Sequence, residues 1–268
     1  MKAVVLTGEG AKGAWQAQAF RDHISLSNKA VDFFVGVSSG AINAVGFTMI
    51  GQTKTLDIWK RINKINDVFG FNGVSALWKN GAFNSKPLEK MLRNTLGVTH
   101  YSQAVAYFPI TSAEYGALRW CNTAQDSLIE NVLAAVAIPG LVEDKDGYLD
   151  GGCRMLAPVS KAIEMGAKEV VVIMGRPYTM NAPHFKGDGL VFGGRWLKCA
   201  AYGYRFIDLL MHELTMRDIA VCSNACADVK ITVLSPKFNV GDALDFHRCS
   251  EMMDLYKYPY NVTELTSV

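Results

Sequence analysis

Phe33-Phe34-Val35-Gly36-Val37-Ser38-Ser39-Gly40-Ala41-Ile42-Asn43-Ala44 sets a G-x-S-x-G between a β-forming run and a helix-forming one. The motif alone is modest, and its setting gives it weight. A strand that delivers a serine to the apex of a turn opening a helix is a nucleophile elbow. Gly36 and Gly40 permit the tight turn and keep side chains away from the Ser38 hydroxyl. The helix behind points its positive end at any oxyanion formed there. The plainer alternative is that Ser38 merely caps the helix.

Upstream, Val4-Val5-Leu6-Thr7 runs into Gly8-Glu9-Gly10-Ala11-Lys12-Gly13, a G-x-G-x-x-G between a strand and a helix. A dinucleotide cradle needs an acid about twenty residues on, at the carboxyl end of the second strand. Asp32 has about the right separation but stands at the start of that strand, and its far end carries Gly36-Val37-Ser38. Two parallel strands ending side by side place the N–H groups of Gly10 and Ala11 next to the Ser38 hydroxyl, with Ser39 N–H as a third donor. That is an oxyanion hole rather than a ribose site.

The wider chain agrees with an α/β enzyme. It has 268 residues, half of them hydrophobic and 19% charged, with a net charge of +2 and no basic block. A large core is therefore available, and a nucleic-acid partner is not expected. Phe33–Ile50 is apolar but interrupted, so it reads as strand–turn–helix and not a membrane span. Six scattered cysteines frame neither a zinc site nor a disulfide scaffold, and no metal or cofactor is expected.

Strands are expected at 3–7, 32–37, 169–174 and 229–234, with 107–112 and 118–122 pairing as antiparallel neighbours. Helices are expected at 14–26, 39–50, 56–65, from Ser85-Lys86-Pro87, and at 128–137, 200–221 and 245–256. The alternation predicts a three-layer α/β/α sandwich around a mainly parallel sheet, in one domain over residues 1–268. Val68–Asn84 and Arg176–Trp196 read as mobile loops. The second carries Met180, Phe185, Leu190, Val191, Phe192 and Trp196 and is expected to form a lid or membrane-facing rim. No apolar leader precedes the first strand, so the expected location is the cytoplasm, with leaderless export left open.

A nucleophilic serine needs a base. His23 and His212 fall on helices as surface or half-buried residues, and His184 and His247 follow in the order of a Ser–Asp–His triad. His100 completes the five, and no histidine lies in a recognisable motif. Asp150 does, in Tyr148-Leu149-Asp150-Gly151-Gly152, where two glycines hold it in an open turn. Its plainer reading is an ordinary turn aspartate. A carboxylate of pKa about 4 is a weak base, yet orientation compensates when it is held against the serine.

Taken together, Gly8–Gly13, Gly36–Gly40 and Asp150-Gly151-Gly152 resemble the patatin-like phospholipase family. The Ala137-Ile138-Pro139-Gly140 turn that leads to Asp150 adds to the likeness, as does Pro158-Val159 after it. The resemblance covers about the first 175 residues. It implies the three-layer fold, a Ser38/Asp150 dyad without histidine, Gly8–Gly13 as oxyanion hole, and cleavage of lipid acyl esters through an acyl-enzyme. A phospholipid or other acyl-lipid substrate and transient membrane contact follow from it. Lys12 matches a basic position of the family, where it would meet a head group or lie on the surface. Two departures, at Ala135-Val136-Ala137 and at Cys153–Ala157, bear on the shape of the acyl pocket. Acyl transfer to an acceptor other than water uses the same dyad. A non-catalytic nucleotide-binding protein is the alternative from another class. The sequence sets no oligomeric state.

Overall fold

Lys2–Leu6 is buried along its whole length, and its side chains alternate between two separate cores. Val4 and Leu6 join one core, Ala3 and Val5 the other. A strand apolar on both faces has to be covered on both, which is the condition for a parallel sheet between helix layers.

The computed structural model describes residues 1–27, 30–78, 80–97, 101–179, 195–257 and 260–265. The first part of the chain runs β1 (Lys2–Leu6), α1 (Gly13–Ser27), β2 (Phe33–Gly36), α2 (Ser39–Met49), α3 (Gln52–Arg61), β3 (Gly70–Phe71), β4 (Gly81–Asn84) and α4 (Lys86–Leu96). Next come β5 (Ala106–Ser112), β6 (Leu118–Asn122), α5 (Leu128–Ala134), β7 (Gly140–Val142), β8 (Tyr148–Asp150) and α6 (Val159–Glu164). The last part is β9 (Glu169–Ile173), α7 (Arg195–Ala225), β10 (Lys230–Pro236), α8 (Cys249–Asp254) and β11 (Tyr260–Leu265).

The main sheet is ordered β11-β10-β9-β1-β2-β5-β6, with β8 added on β5. Pairings from β10 through β9, β1 and β2 to β5 are parallel, while β11, β6 and β8 are antiparallel additions. Helices α1 to α5 and α8 supply the Val4/Leu6 core, and α6 and α7 the Ala3/Val5 core. The fold is thus the expected mixed α/β sandwich with a mostly parallel centre. Among the described residues no helix is long and apolar enough to cross a membrane.

Two expectations change, and one strand is added. Val68–Asn84 contains β3, β4 and a 3₁₀ turn at Gly73–Leu77, and β3-β4-β7 form a second small sheet. Strands of two to four residues leave no readable alternation. The helix read over 245–256 is α-helical only at α8, with 3₁₀ turns at Phe246–Arg248 and Leu255–Lys257. The edge strand β11 has no clear sequence signature, because its residues are half-buried or exposed and lack a continuous apolar run. For the lid or rim read over Arg176–Trp196, residues 180–194 lie outside the described residues.

Candidate active site

The parallel register aligns Leu6 with Gly36, so β1 and β2 release their loops side by side. Ser38 stands at the start of α2 with φ 53° and ψ −122°, a backbone state strained for a non-glycine residue. The turn is forced by close approach of backbones. A Cβ on Gly36 would come within 2.2 Å of the Gly40 carbonyl, and one on Gly40 within 2.2 Å of the Leu6 carbonyl. Only glycine fits at either position.

Asp150 ends β8, which pairs with β5 so that Asp150 lies opposite Ile110. Its Oδ1 accepts the Gly152 N–H at 2.7 Å, and a Cβ on Gly151 would strike the Pro109 carbonyl at 2.4 Å. Residues 112 positions apart in sequence thereby meet: the Ser38 hydroxyl stands beside the Asp150 carboxylate, close enough to favour its ionised form, and both are buried. Burial pushes the Asp150 carboxyl up to about 6, against the pull of the Ser38 hydroxyl and the Gly152 N–H. A carboxyl poised there accepts a proton better than a free aspartate near neutral pH.

The glycine loop lies against this pair, with Gly8 facing Ser38 and Gly13 facing Ser39. Its donors are not equivalent. Ala11 N–H is already given to the Ala243 carbonyl at 2.8 Å, and Gly8 N–H to the Leu156 carbonyl at 3.4 Å. Among the described residues, Gly10 N–H and Ser39 N–H have no protein acceptor. Ala11 is thus taken up by a bond to a loop 232 residues away, and Gly10 and Ser39 are the donors left beside Ser38. Gly10 has φ +58°, and a Cβ there would lie 2.2 Å from the Ala243 oxygen.

Lys12 is neither a surface lysine nor a head-group contact. It is 1% exposed, its ammonium 3.9 Å from Asp208, and burial and the neighbouring Arg176 hold its pKa below the ordinary value. It belongs to a buried charged cluster behind the loop that sequence reasoning missed. Glu9 faces Arg176 at 3.6 Å, and Arg176 donates to the Asp208 carbonyl at 3.1 Å and lies 3.6 Å from its carboxylate. His212, read as a surface or half-buried residue, is buried against the cluster, its pKa lowered by burial and by Arg176.

Other supports also lie beyond the reach of sequence reasoning. Glu9 N–H donates to Ser39 Oγ at 3.2 Å. Asn43 donates to the Gly13 carbonyl at 2.9 Å and accepts from Trp59 Nε1 at 2.7 Å. Gln16 reaches the Thr7 carbonyl at 2.9 Å and that of Ile173 at 3.1 Å. No single-residue signal marks these groups, because each partner is remote in sequence. Asp32 sits at the opposite end of β2, where its carboxylate accepts the Lys2 N–H at 2.6 Å. His23 lies on α1, His247 is exposed, and His100 and His184 lie outside the described residues. None of the described histidines hydrogen-bonds Ser38 or Asp150.

From Ser38 and Gly10 a cavity extends with about 890 Å³ of space unfilled by atoms, its open mouth included. Ile42, Val45, Ile50, Leu92, Val136 and Phe246 are among its walls, which are almost wholly apolar. Val136 occupies one of the departures read from the sequence, so that departure does shape the pocket.

A strained serine next to a buried carboxylate, beside free backbone donors at the mouth of an apolar cavity, has the makings of an acyl-ester hydrolase. The family model described as patatin-like phospholipase matches residues 4–163, well over half of the chain, and the chain belongs to that family. Membership places it among lipid acyl hydrolases at the level of the family. No curated protein matches the chain significantly. Strands β9 and β10, beyond the matched region, complete the same sheet.

Proposed function

We propose that the protein is a serine lipid acyl hydrolase of phospholipase A or lysophospholipase type. In this reading Ser38 attacks the ester carbonyl and Asp150 takes its proton. Gly10 N–H and Ser39 N–H stabilise the oxyanion, and water then releases the acyl group from Ser38. The same carboxyl, protonated by the first step, delivers the proton to the leaving alkoxide and recovers it from the attacking water.

The observation that carries this reading is the contact of buried Ser38 with Asp150 at the head of an apolar cavity. That cavity follows α2 from Ser38 past Ile42, Val45 and Gly46 to Ile50. Twelve helical steps span roughly 18 Å, room for an extended chain of about fourteen carbons. A fatty-acyl chain suits such a slot, and a nucleotide does not. Transient contact with a membrane surface is part of the proposal, since such chains reside there.

Fluorophosphonate labelling tests the nucleophile, and a panel of phospholipids and lysophospholipids tests the substrate. Labelling and release of free fatty acid should both vanish in Ser38→Ala, and fatty-acid release in Asp150→Asn. Labelling at another residue, or unchanged release in either variant, would overturn the assignment. Transfer of the acyl group to an added alcohol in preference to water would make it an acyltransferase.

A further inference from the structure

The excursion between α3 and α4 holds large apolar side chains out in water. Phe71 is 67% exposed, Val74 73% and Trp78 79%, all within eight residues. Ordered backbone displays them. Phe71 pairs with Phe83 across β3 and β4, with the rings 5.7 Å apart. Asn72 N–H donates to the Ala82 carbonyl at 2.9 Å and its side chain to the Gly81 carbonyl at 3.0 Å. Trp78 N–H returns to the Ser75 carbonyl at 3.1 Å. These polar groups are thus spent on the hairpin's own turn, and its bulky apolar groups project outward. Isolated exposed hydrophobics need no explanation, but a cluster of this size marks a contact surface.

Two further observations identify the partner. The base of the hairpin belongs to the cavity. Val68 and Phe69 line it, Phe69 packs on Phe246 with ring centroids 5.9 Å apart, and Ala243 of the same loop accepts the Ala11 N–H. The apolar cluster therefore stands at the serine end of the cavity. The chain that flanks it is also basic. Residues 54–86 hold six basic and two acidic side chains, an excess of four positive charges, against two for the whole chain. Lys54, Arg61, Lys64 and Lys86 are exposed and form no ion pair with described residues. Asp67, the nearest acid before it in the chain, spends its carboxylate on the Asn63 and Lys64 N–H groups, and Asp144, which follows β7, accepts from the Asn80 side chain at 2.8 Å.

We propose that Phe71, Val74 and Trp78 insert into an anionic lipid surface and seat the serine end of the cavity on it, with the basic residues of α3 and its flanks meeting the head groups. Aromatic and aliphatic groups ringed by lysine and arginine fit the boundary between charged head groups and acyl chains. The proposal rests on the acyl-lipid reading, since it gives the cavity access to chains held in a surface.

The test uses the full chain and vesicles of phosphatidylcholine, with or without one third phosphatidylserine. Vesicle sedimentation with Ser38→Ala protein reads binding while the vesicles stay intact. Anionic vesicles should bind, and neutral ones much more weakly. Phe71→Ser with Trp78→Ser should lower partitioning by about tenfold to a hundredfold per side chain. Arg61→Gln with Lys64→Gln should lower it roughly fivefold per charge, an effect lost in high salt. Hydrolysis of a water-soluble short-chain ester by the Phe71/Trp78 variant, with Ser38 intact, should match the unsubstituted protein, while hydrolysis of vesicle lipid falls. Undiminished vesicle binding in that variant, or equal binding to neutral vesicles, would overturn the proposal. So would a wild-type dimer that the variant dissociates without loss of vesicle binding, which would assign the patch to a second copy. Absence of soluble-ester hydrolysis in the wild type would instead count against the catalytic reading and leave the binding result to stand by itself.

Discussion

The Gly8–Gly13 loop has two sides made of opposite materials. In front, the cavity is walled by Ile42, Val45, Leu92 and their neighbours. Behind, Glu9, Lys12, Arg176, Asp208 and His212 are packed together. Apolar contact is non-directional, so the front can take a flexible chain without fixing its rotation. Buried charges are directional and expensive to separate, so the back holds one arrangement or fails. In the proposed mechanism the loop between them needs its donors fixed in place, and the polar side is suited to do that.

Ser38→Ala should have the largest effect, about 10⁴-fold or more on ester hydrolysis, with the fold unchanged by circular dichroism. Equal damage to stability would mean that the serine serves the elbow and not the chemistry. Arg176→Met strands Glu9 and Asp208 without a guanidinium and should lower unfolding free energy by about 3–5 kcal/mol in urea titration. A loss under about 1 kcal/mol would make the rear cluster no more demanding than a surface ion pair.

Gly10→Ala drives a methyl into the Ala243 carbonyl and displaces a proposed oxyanion donor, so kcat should fall about 10²–10³-fold. The proposed base gives the comparison a pH axis. Asp150 accepts a proton only when ionised, and its raised pKa of about 6 places that ionisation above the ordinary aspartate range. The kcat/KM profile should therefore be flat above about pH 7 and fall about tenfold per unit below 6. His247→Ala should leave that limb where it is. Its disappearance in that variant would point to a histidine base.

The smallest effects separate the two sides most finely. Trp59→Phe leaves the Asn43 oxygen without its 2.7 Å donor and should cost about 1–2 kcal/mol in thermal unfolding. Ile42→Val on the cavity wall removes one methylene and should cost about 0.5–1.5 kcal/mol. If the wall substitution were the more damaging, the front would be as tightly specified as the back.

Much of the fold and of the site is legible in the amino-acid order. Val35-Gly36-Val37-Ser38-Ser39-Gly40 shows its elbow because the signals are local: a β-branched run, two glycines at a close backbone approach, and a helix-forming stretch. Asp150-Gly151-Gly152 is readable for the same reason. Alternation of apolar runs and amphipathic stretches indicates a parallel sheet between helices, since β1 has to bury both faces. Lys12 reads as a surface residue and is not one, because its burial is set by α7, almost two hundred residues away. Nothing next to Ala11 announces that its N–H will go to Ala243.

By itself, then, the sequence determined the layering, the serine turn and the aspartate turn, each encoded by neighbours within a few residues. Tertiary structure alone decided which donors stay free, how far Asp150 is desolvated, how Glu9, Lys12 and Arg176 are paired, and that Phe71, Val74 and Trp78 face water. Hydrogen-bond partners and desolvation depend on which distant segments pack together, and short-range sequence pattern carries no record of that.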